Sequence, residues 1–125
     1  MSKLENVKLP VVPGVTASLG PGPRLGLSGT ISTREPDKHL GIFFRELHEA
    51  ALADALTEIT VDVRALTFVN SSGIRLFIEW ASRASGQAGR RYRLRFLRNP
   101  AVTWQRVSFS AIKNIAGEEI VIEDG

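Results

Sequence analysis

The stretch that decides the fold is Leu66-Thr67-Phe68-Val69-Asn70-Ser71-Ser72-Gly73-Ile74-Arg75, an apolar run that ends in two hydroxyl side chains. Before it, residues 59–63 alternate Ile and Val with Thr and Asp, which predicts a strand. After it, apolar residues recur at the i, i+3, i+4 and i+7 spacing of one helix face, at Ile74, Phe77, Ile78 and Ala81. The stretch is therefore predicted to join a strand to a helix.

Asn70 is the predicted N-cap of this helix, because its side chain can accept a hydrogen bond from a free backbone N–H group. With Asn70 as the cap, Val69 and Ile74 take the two positions of a hydrophobic staple. With Ser71 as the cap, those positions would hold Asn70 and Arg75, which cannot form a staple. With Asn70 as the N-cap, Ser71 and Ser72 are the first two helical residues, beside unpaired N–H groups that favour an anion.

The stretch resembles the signature of the STAS domain family, named for sulfate transporters and anti-sigma factor antagonists. In that signature an apolar run is followed by Asp-Ser-Ser/Thr-Gly-Leu at a helix start. Two further segments match in the right order: residues 27–31, Leu-Ser-Gly-Thr-Ile, resemble the family's second strand, and residues 99–102, Asn-Pro-Ala-Val, resemble the start of its third helix. Because the three matches are spread along the chain in the right order, the resemblance extends over most of residues 15–123.

The resemblance implies which residues act. The family's phosphoacceptor is the hydroxyl directly after the acidic position, which here is Ser71, with Ser72 as the alternative. The implied partner-binding surface is Asn70, Ser71, Ser72, Gly73, Ile74 and Arg75. Gly73 has a second possible role, relief of tight packing at the helix start. Asn70 replaces the family's Asp, so the cap is kept while the negative charge beside the acceptor is lost.

The resemblance also implies a function, that of an anti-sigma factor antagonist. The unmodified serine loop would dock on an anti-sigma factor, typically also a serine kinase, and phosphorylation would end the binding. A serine phosphatase would reset the switch, and ATP would be the kinase's substrate, so no cofactor of this chain is expected. One alternative is a STAS-type docking subunit of a transport or signalling complex without phosphorylation. Another is nucleic-acid binding through the Arg91–Arg95 strand.

Length and composition predict one domain, since the chain has 125 residues of which 43% are hydrophobic. We expect residues 1–14 to form an N-terminal extension and residues 15–125 the STAS-like domain. The chain has no cysteine, which excludes disulfides and thiolate chemistry. It also lacks an apolar segment of signal-peptide or membrane-spanning length, so we expect a cytoplasmic protein without membrane insertion.

The predicted element order is ββαβαβαβ, an α/β fold with a mostly parallel central sheet and an antiparallel first strand. The fourth strand is expected at residues 91–97 and the fifth at 119–122. The family usually adds a helix after the last strand, and that helix is expected to be missing because only Asp124 and Gly125 follow.

The third helix is predicted to start at Pro100, behind Asn99 as its cap. Its predicted buried stripe is Ala101, Trp104, Val107, Ala111, Ile112 and Ile115. Phe109 lies outside this stripe, so it is either buried under a neighbouring loop or part of a contact surface.

No catalytic or metal-binding constellation is evident, so the chain is not expected to be an enzyme. His39 and His48 are nine residues apart and do not share a helix face at ligand spacing. The basic segment Arg90-Arg91-Tyr92-Arg93-Leu94-Arg95 alternates charged and apolar residues, which predicts a strand with one solvent-exposed face. A net charge of only +3 favours a solvated basic face, or one that meets an acidic partner, over a nucleic-acid interface.

Overall fold

The computed structural model describes residues 4–86, 91–117 and 119–125. Its strands are β1 (Val15–Gly20), β2 (Arg24–Ile31), β3 (Glu58–Val69), β4 (Arg93–Arg98) and β5 (Ile120–Asp124). Its α-helices are α1 (Leu40–Ala53), α2 (Ser71–Ala84) and α3 (Thr103–Ala116), and single 3-10 turns lie at Leu4–Asn6 and Pro36–Lys38. The predicted order of strands and helices is confirmed.

One five-stranded sheet runs in the order β1-β2-β3-β4-β5. The β1–β2 hairpin is antiparallel, and every other neighbouring pair is parallel. Each helix connects a strand to its next parallel neighbour in the same direction along the sheet, and right-handed crossovers then place all three helices on one face. The other face of the sheet is left open, and its side chains are mostly polar.

The hydrophobic core lies between the sheet and the helices. For α1 the sequence predicts one apolar stripe, and this is confirmed because its members are all buried: Leu40, Phe43, Phe44, Leu47 and Ala51. The predicted apolar face of α2 also packs on the core, with Phe77 and Ala81 fully buried and Ile74 and Ile78 half-buried against it. Trp80 lies outside that face but is fully buried as well, and its ring stacks on that of Phe44 with centroids 4.7 Å apart.

The described part of the predicted N-terminal extension packs against the domain. Leu4 and Val12 are both buried in the core. The backbone N–H of Leu4 donates to Asp54 Oδ2 at 3.0 Å, so the segment is also tied to the C-terminal end of α1.

Two strands deviate from their predicted bounds. β4 begins at Arg93 rather than Arg91, because the Tyr92 N–H donates to the carbonyl of Ala84 at the end of α2 and not to a strand. The alternation predicted there is confirmed, with Tyr92, Leu94 and Phe96 buried. β5 begins one residue later than predicted and ends at Asp124.

The predicted start and buried face of α3 are wrong. Asn99 Oδ1 accepts from the N–H of Ala101 at 3.0 Å, so Asn99 closes a turn before the helix instead of capping it. Val107 and Ile115, assigned to the buried stripe, are 64% and 62% exposed. The buried residues of α3 are Gln105, Phe109 and Ile112. Phe109 therefore belongs to the core, where its ring lies 4.9 Å from that of Phe96.

The polar side chain of Gln105 determines which face of α3 is buried. β3 pairs with β4 only over residues 58–62, so the carbonyl groups of Val63 and Leu66 lie beyond the end of that ladder. Gln105 Nε2 donates to both carbonyls at 2.8 Å, and Gln105 Oε1 accepts from the Asn99 N–H at 2.8 Å. Because the amide nitrogen and the amide oxygen of Gln105 both have hydrogen-bond partners, the side chain can be fully buried.

A second buried polar group, the Tyr92 hydroxyl, links α1 and α2 to the residue just before β4. The Tyr92 hydroxyl accepts from Trp80 Nε1 at 2.9 Å and lies 2.8 Å from His48 Nδ1. The hydroxyl proton is then free to be donated to His48 Nδ1, which requires a neutral imidazole. Burial lowers the pKa of His48, nearby Arg83 lowers it further, and Glu49 opposes these effects.

Replacing Gln105 with Met should destabilise the fold while keeping the side-chain volume. The substitution leaves two carbonyls and one N–H without partners, and we expect a loss of about 2–4 kcal/mol in unfolding free energy, measured by urea denaturation. Arg106→Met, at the exposed neighbouring position, should change stability by less than about 0.5 kcal/mol. Equal stabilities of the two variants would contradict the role given to Gln105.

Stability should fall as the pH drops through the ordinary pKa of histidine. His48 has a lowered pKa in the folded state, so below about pH 6.5 the unfolded chain takes up a proton that the folded chain does not. The loss should level off once the pH is below the folded-state pKa. Urea unfolding of the wild type and His48→Asn between pH 8 and 5 checks this, since Asn keeps a hydrogen-bonding group but does not titrate. Parallel curves for the two proteins would contradict it.

Candidate functional site

Asn70 joins three segments at the start of α2. Its N–H donates to the carbonyl of Ile31 at the end of β2, and its side-chain Oδ1 accepts from the N–H of Gly73, both at 2.8 Å. Its side-chain Nδ2 donates to the carbonyl of Thr33 at 2.8 Å. The predicted N-cap is confirmed, and the same side chain also fixes the segment that follows β2.

The bond to Thr33 gives a physical reason for Asn at this position. An amide supplies one acceptor and two donor hydrogens, whereas a carboxylate has no hydrogen to donate. An Asp side chain could still cap Gly73, but its second oxygen would then face the carbonyl oxygen of Thr33. The departure of Asn70 from the family signature therefore adds a hydrogen bond between the helix start and the segment after β2.

The two serines of the helix start have different surroundings. Ser71 is exposed, whereas Ser72 is half-buried. Both occupy the first turn of α2, where backbone N–H groups have no acceptor within the helix. The first-turn position suits an anion on either hydroxyl. Their role as phosphoacceptors stays a prediction.

Gly73 is buried at a point of close packing that leaves little room for a side chain. A Cβ atom at this position would lie 2.6 Å from Val69 Cγ1 and 2.9 Å from Ile31 Cγ2. This close approach supports the packing role of Gly73, since it brings the first turn of α2 against the ends of β2 and β3. Of the two remaining residues of the predicted surface, Ile74 is half-buried and Arg75 is exposed.

A polar cavity of about 360 Å³ opens beside the helix start, between α1 and α2. Its polar lining comes from Arg34, Arg45, Ser72, Arg75 and Glu79. Pro36, Gly41 and Leu76 form the rest of the wall. We name this feature the arginine cavity. Sequence reasoning missed Arg34 and Arg45, which lie in the segment after β2 and on α1 and carry no motif that links them to the serines.

The basic strand predicted as an alternative site is already paired with carboxylates. Arg95 forms ion pairs with Glu58 of β3, at 3.0 Å, and with Glu123 of β5. Arg93 and Arg91 lie 3.9 and 3.8 Å from Glu58 and Glu119. Hydrogen bonding to Glu58 raises the pKa of Arg95. Arg90, also part of the predicted basic segment, lies outside the described residues.

The open face of the sheet carries another charged group, centred on Asp62. This carboxylate pairs with Arg24 and Arg64, each at 2.8 Å. Hydrogen bonds from Arg64 lower the pKa of Asp62 to about 2. The described charges on this face thus largely neutralise one another.

Within the described residues, no helix is both long and apolar enough to cross a membrane.

Comparison with known proteins shows the fold. No protein-family model matches the chain, and no curated protein matches it by sequence. A chain in the crystal structure of diguanylate cyclase SiaD in complex with its activator SiaC from Pseudomonas aeruginosa superposes with a TM-score of 0.70 at 14% identity, over 94% of this chain and 100% of that one. An anti-sigma factor antagonist from Mycobacterium paratuberculosis superposes with a TM-score of 0.57 at 14% identity, over 91% and 90%. The fold is STAS-like, as the sequence predicts.

Substitutions at Asn70 should separate the two bonds of its side chain. Asn70→Ala loses both the cap and the bond to Thr33, and we expect a loss of about 2 kcal/mol in unfolding free energy. Asn70→Asp keeps the cap and should lose about 1 kcal/mol at neutral pH. Urea denaturation measures both values. An Asp variant as stable as the wild type would show that the bond to Thr33 contributes nothing.

Proposed function

We propose that this chain is a cytoplasmic partner-switching protein of the anti-sigma factor antagonist type. Its unmodified helix start, residues 70–75, docks on an anti-sigma factor that is also a serine kinase. Phosphorylation of Ser71 ends the binding, and a serine phosphatase restores it. The single observation that carries the proposal is an exposed serine on a helix start that Asn70 holds in one position.

The geometry suits docking because little of the surface must be ordered on binding. Asn70 fixes the first turn of α2 to the segment after β2, and Gly73 packs it against two strands. A preorganised surface avoids the loss of loop and side-chain entropy that a mobile segment would suffer. Exposed Ser71 and Arg75 then present a hydroxyl and a cation to the partner.

A phosphoryl group on Ser71 would change binding without unfolding the domain. It adds about −1.5 to −2 charges at neutral pH, and the first turn of a helix tolerates an anion. Burying that dianion against a partner surface would be unfavourable unless the partner supplied matching cations. The domain would stay folded while the complex dissociates.

A second candidate is a docking subunit of a signalling complex that works without phosphorylation. It is supported by the structural neighbour from the complex of diguanylate cyclase SiaD with its activator SiaC, since that neighbour belongs to an assembly of a signalling enzyme with its activator. The absence of an acidic residue directly before Ser71 points the same way. The client of residues 70–75 would then be an enzyme or another signalling protein in place of an anti-sigma factor.

Nucleic-acid binding has weaker support. The arginines of β4 face glutamates on both neighbouring strands, so a phosphate backbone would have to compete with carboxylates already in place. In the proposed switch this chain performs no catalytic step and needs no cofactor, since ATP is consumed by the kinase.

Binding of the partner should depend on the charge at position 71. We expect wild type and Ser71→Ala to capture the same anti-sigma factor or kinase from lysate of the native cell. Ser71→Asp should bind that partner at least about tenfold more weakly, which corresponds to a loss of roughly 1.4 kcal/mol in binding free energy. Ser82→Asp, an exposed serine further along α2, should bind as the wild type does.

Two results of the same experiment would count against the switch. If all four proteins capture the same partners equally, residue 71 does not control docking. If the partner binds as expected but intact mass finds no phosphorylated form of the wild type after incubation with that partner and ATP, the second candidate replaces the first.

A further inference from the structure

We infer that the arginine cavity receives a phosphoryl group carried by Ser72. The inference deepens the proposed function and rests on it in one respect, that a serine kinase acts at the helix start. It adds a second modification site to the surface and gives that site a receptor within the same chain.

The cavity collects positive charge from three separate segments. Arg34 comes from the segment after β2, Arg45 from α1 and Arg75 from α2. Within the described residues, none of these guanidinium groups forms an ion pair. Glu79 is the carboxylate in the lining, so three cations and one anion leave a net charge of +2. A phosphoryl dianion would balance it, and planar guanidinium groups are well suited to bind phosphate.

Ser72 is placed to deliver that group. Ser72 is part of the cavity lining, and Arg75 follows it by three residues, on the same face of α2. The cavity volume of about 360 Å³ corresponds to about a dozen waters at about 30 Å³ each, so a phosphoryl group fits with part of its hydration shell. The positive end of the helix dipole acts in the same direction as the arginines.

Ser71 lacks these surroundings. It is exposed and does not line the cavity. A phosphoryl group there is presented to the partner, whereas one on Ser72 is neutralised within the chain and ties residues 34 and 45 to the start of α2. Phosphorylation of the two adjacent serines would then have different effects. On Ser71 it changes the charge of the docking surface, and on Ser72 it closes the arginine cavity beside that surface.

The modification is an ordinary phosphoryl transfer from ATP. Ser72 Oγ attacks the γ-phosphorus and forms the new O–P bond. The bond from that phosphorus to the bridging oxygen breaks, and its electron pair leaves with ADP. The kinase's base takes up the hydroxyl proton.

Phosphorus NMR on homogeneous protein tests the inference. We would incorporate phosphoserine genetically at position 72 or, as the matched control, at position 71, and titrate each full-length chain. The second pKa of phosphoserine is ordinarily about 6. At position 72 it should lie at least about one pH unit below that at position 71, as expected for an anion beside guanidinium groups. Arg34→Ala with Arg45→Ala should remove most of the difference, and Arg106→Ala, on α3, should not.

Two outcomes would overturn the inference. One is equal pKa values for phosphoserine at positions 71 and 72. The other is a lowered value at 72 that survives the double substitution, since the phosphoryl group would then lie outside the cavity. Arg34 and Arg45 are exposed, so their substitution should leave the fold intact. The assay contains neither kinase nor partner, so its failure is distinct from failure of the proposed switch.

Discussion

The amide of Asn70 is the constraint on which the rest of the candidate site depends. Its oxygen holds the first turn of α2 and its nitrogen holds the segment after β2, so one planar group fixes the distance between two pieces of chain. Gly73 completes the arrangement by letting that turn approach Val69 and Ile31 closely. The exposure of Ser71 and the position of Ser72 at the arginine cavity both follow from this placement.

A similar constraint acts along the C-terminal half of β3, the strand that leads into Asn70. β3 is longer than its neighbour β4, which leaves backbone carbonyls that a parallel partner would otherwise bind. α3 supplies the missing donors through Gln105, and through Trp104, whose Nε1 donates to the carbonyl of Thr67 at 2.8 Å. A buried amide with all of its bonds made thus fixes the rotation of a helix whose apolar residues alone would allow another one.

The sequence was most informative where a local pattern decides the outcome. The N-cap, the helix after it, the buried face of α1 and the antiparallel first strand were all predictable, because capping and periodicity act within a few residues. Predictions failed at α3, where Val107 and Ile115 look apolar enough to be buried. There the choice of face came from carbonyls on β3, about 40 residues earlier in the chain, which no local pattern reveals.

The same contrast, between interactions within a few residues and contacts between distant segments, applies to the candidate site. The sequence by itself determined the exposed hydroxyl at a capped helix start and the STAS-like order of elements, since both follow from short stretches read in order. Only the tertiary structure brought Arg34 and Arg45 beside Ser72 and placed glutamates opposite the arginines of β4. The physical reason is that a charge acts through space, so its effect depends on which segments the sheet and the helices bring together.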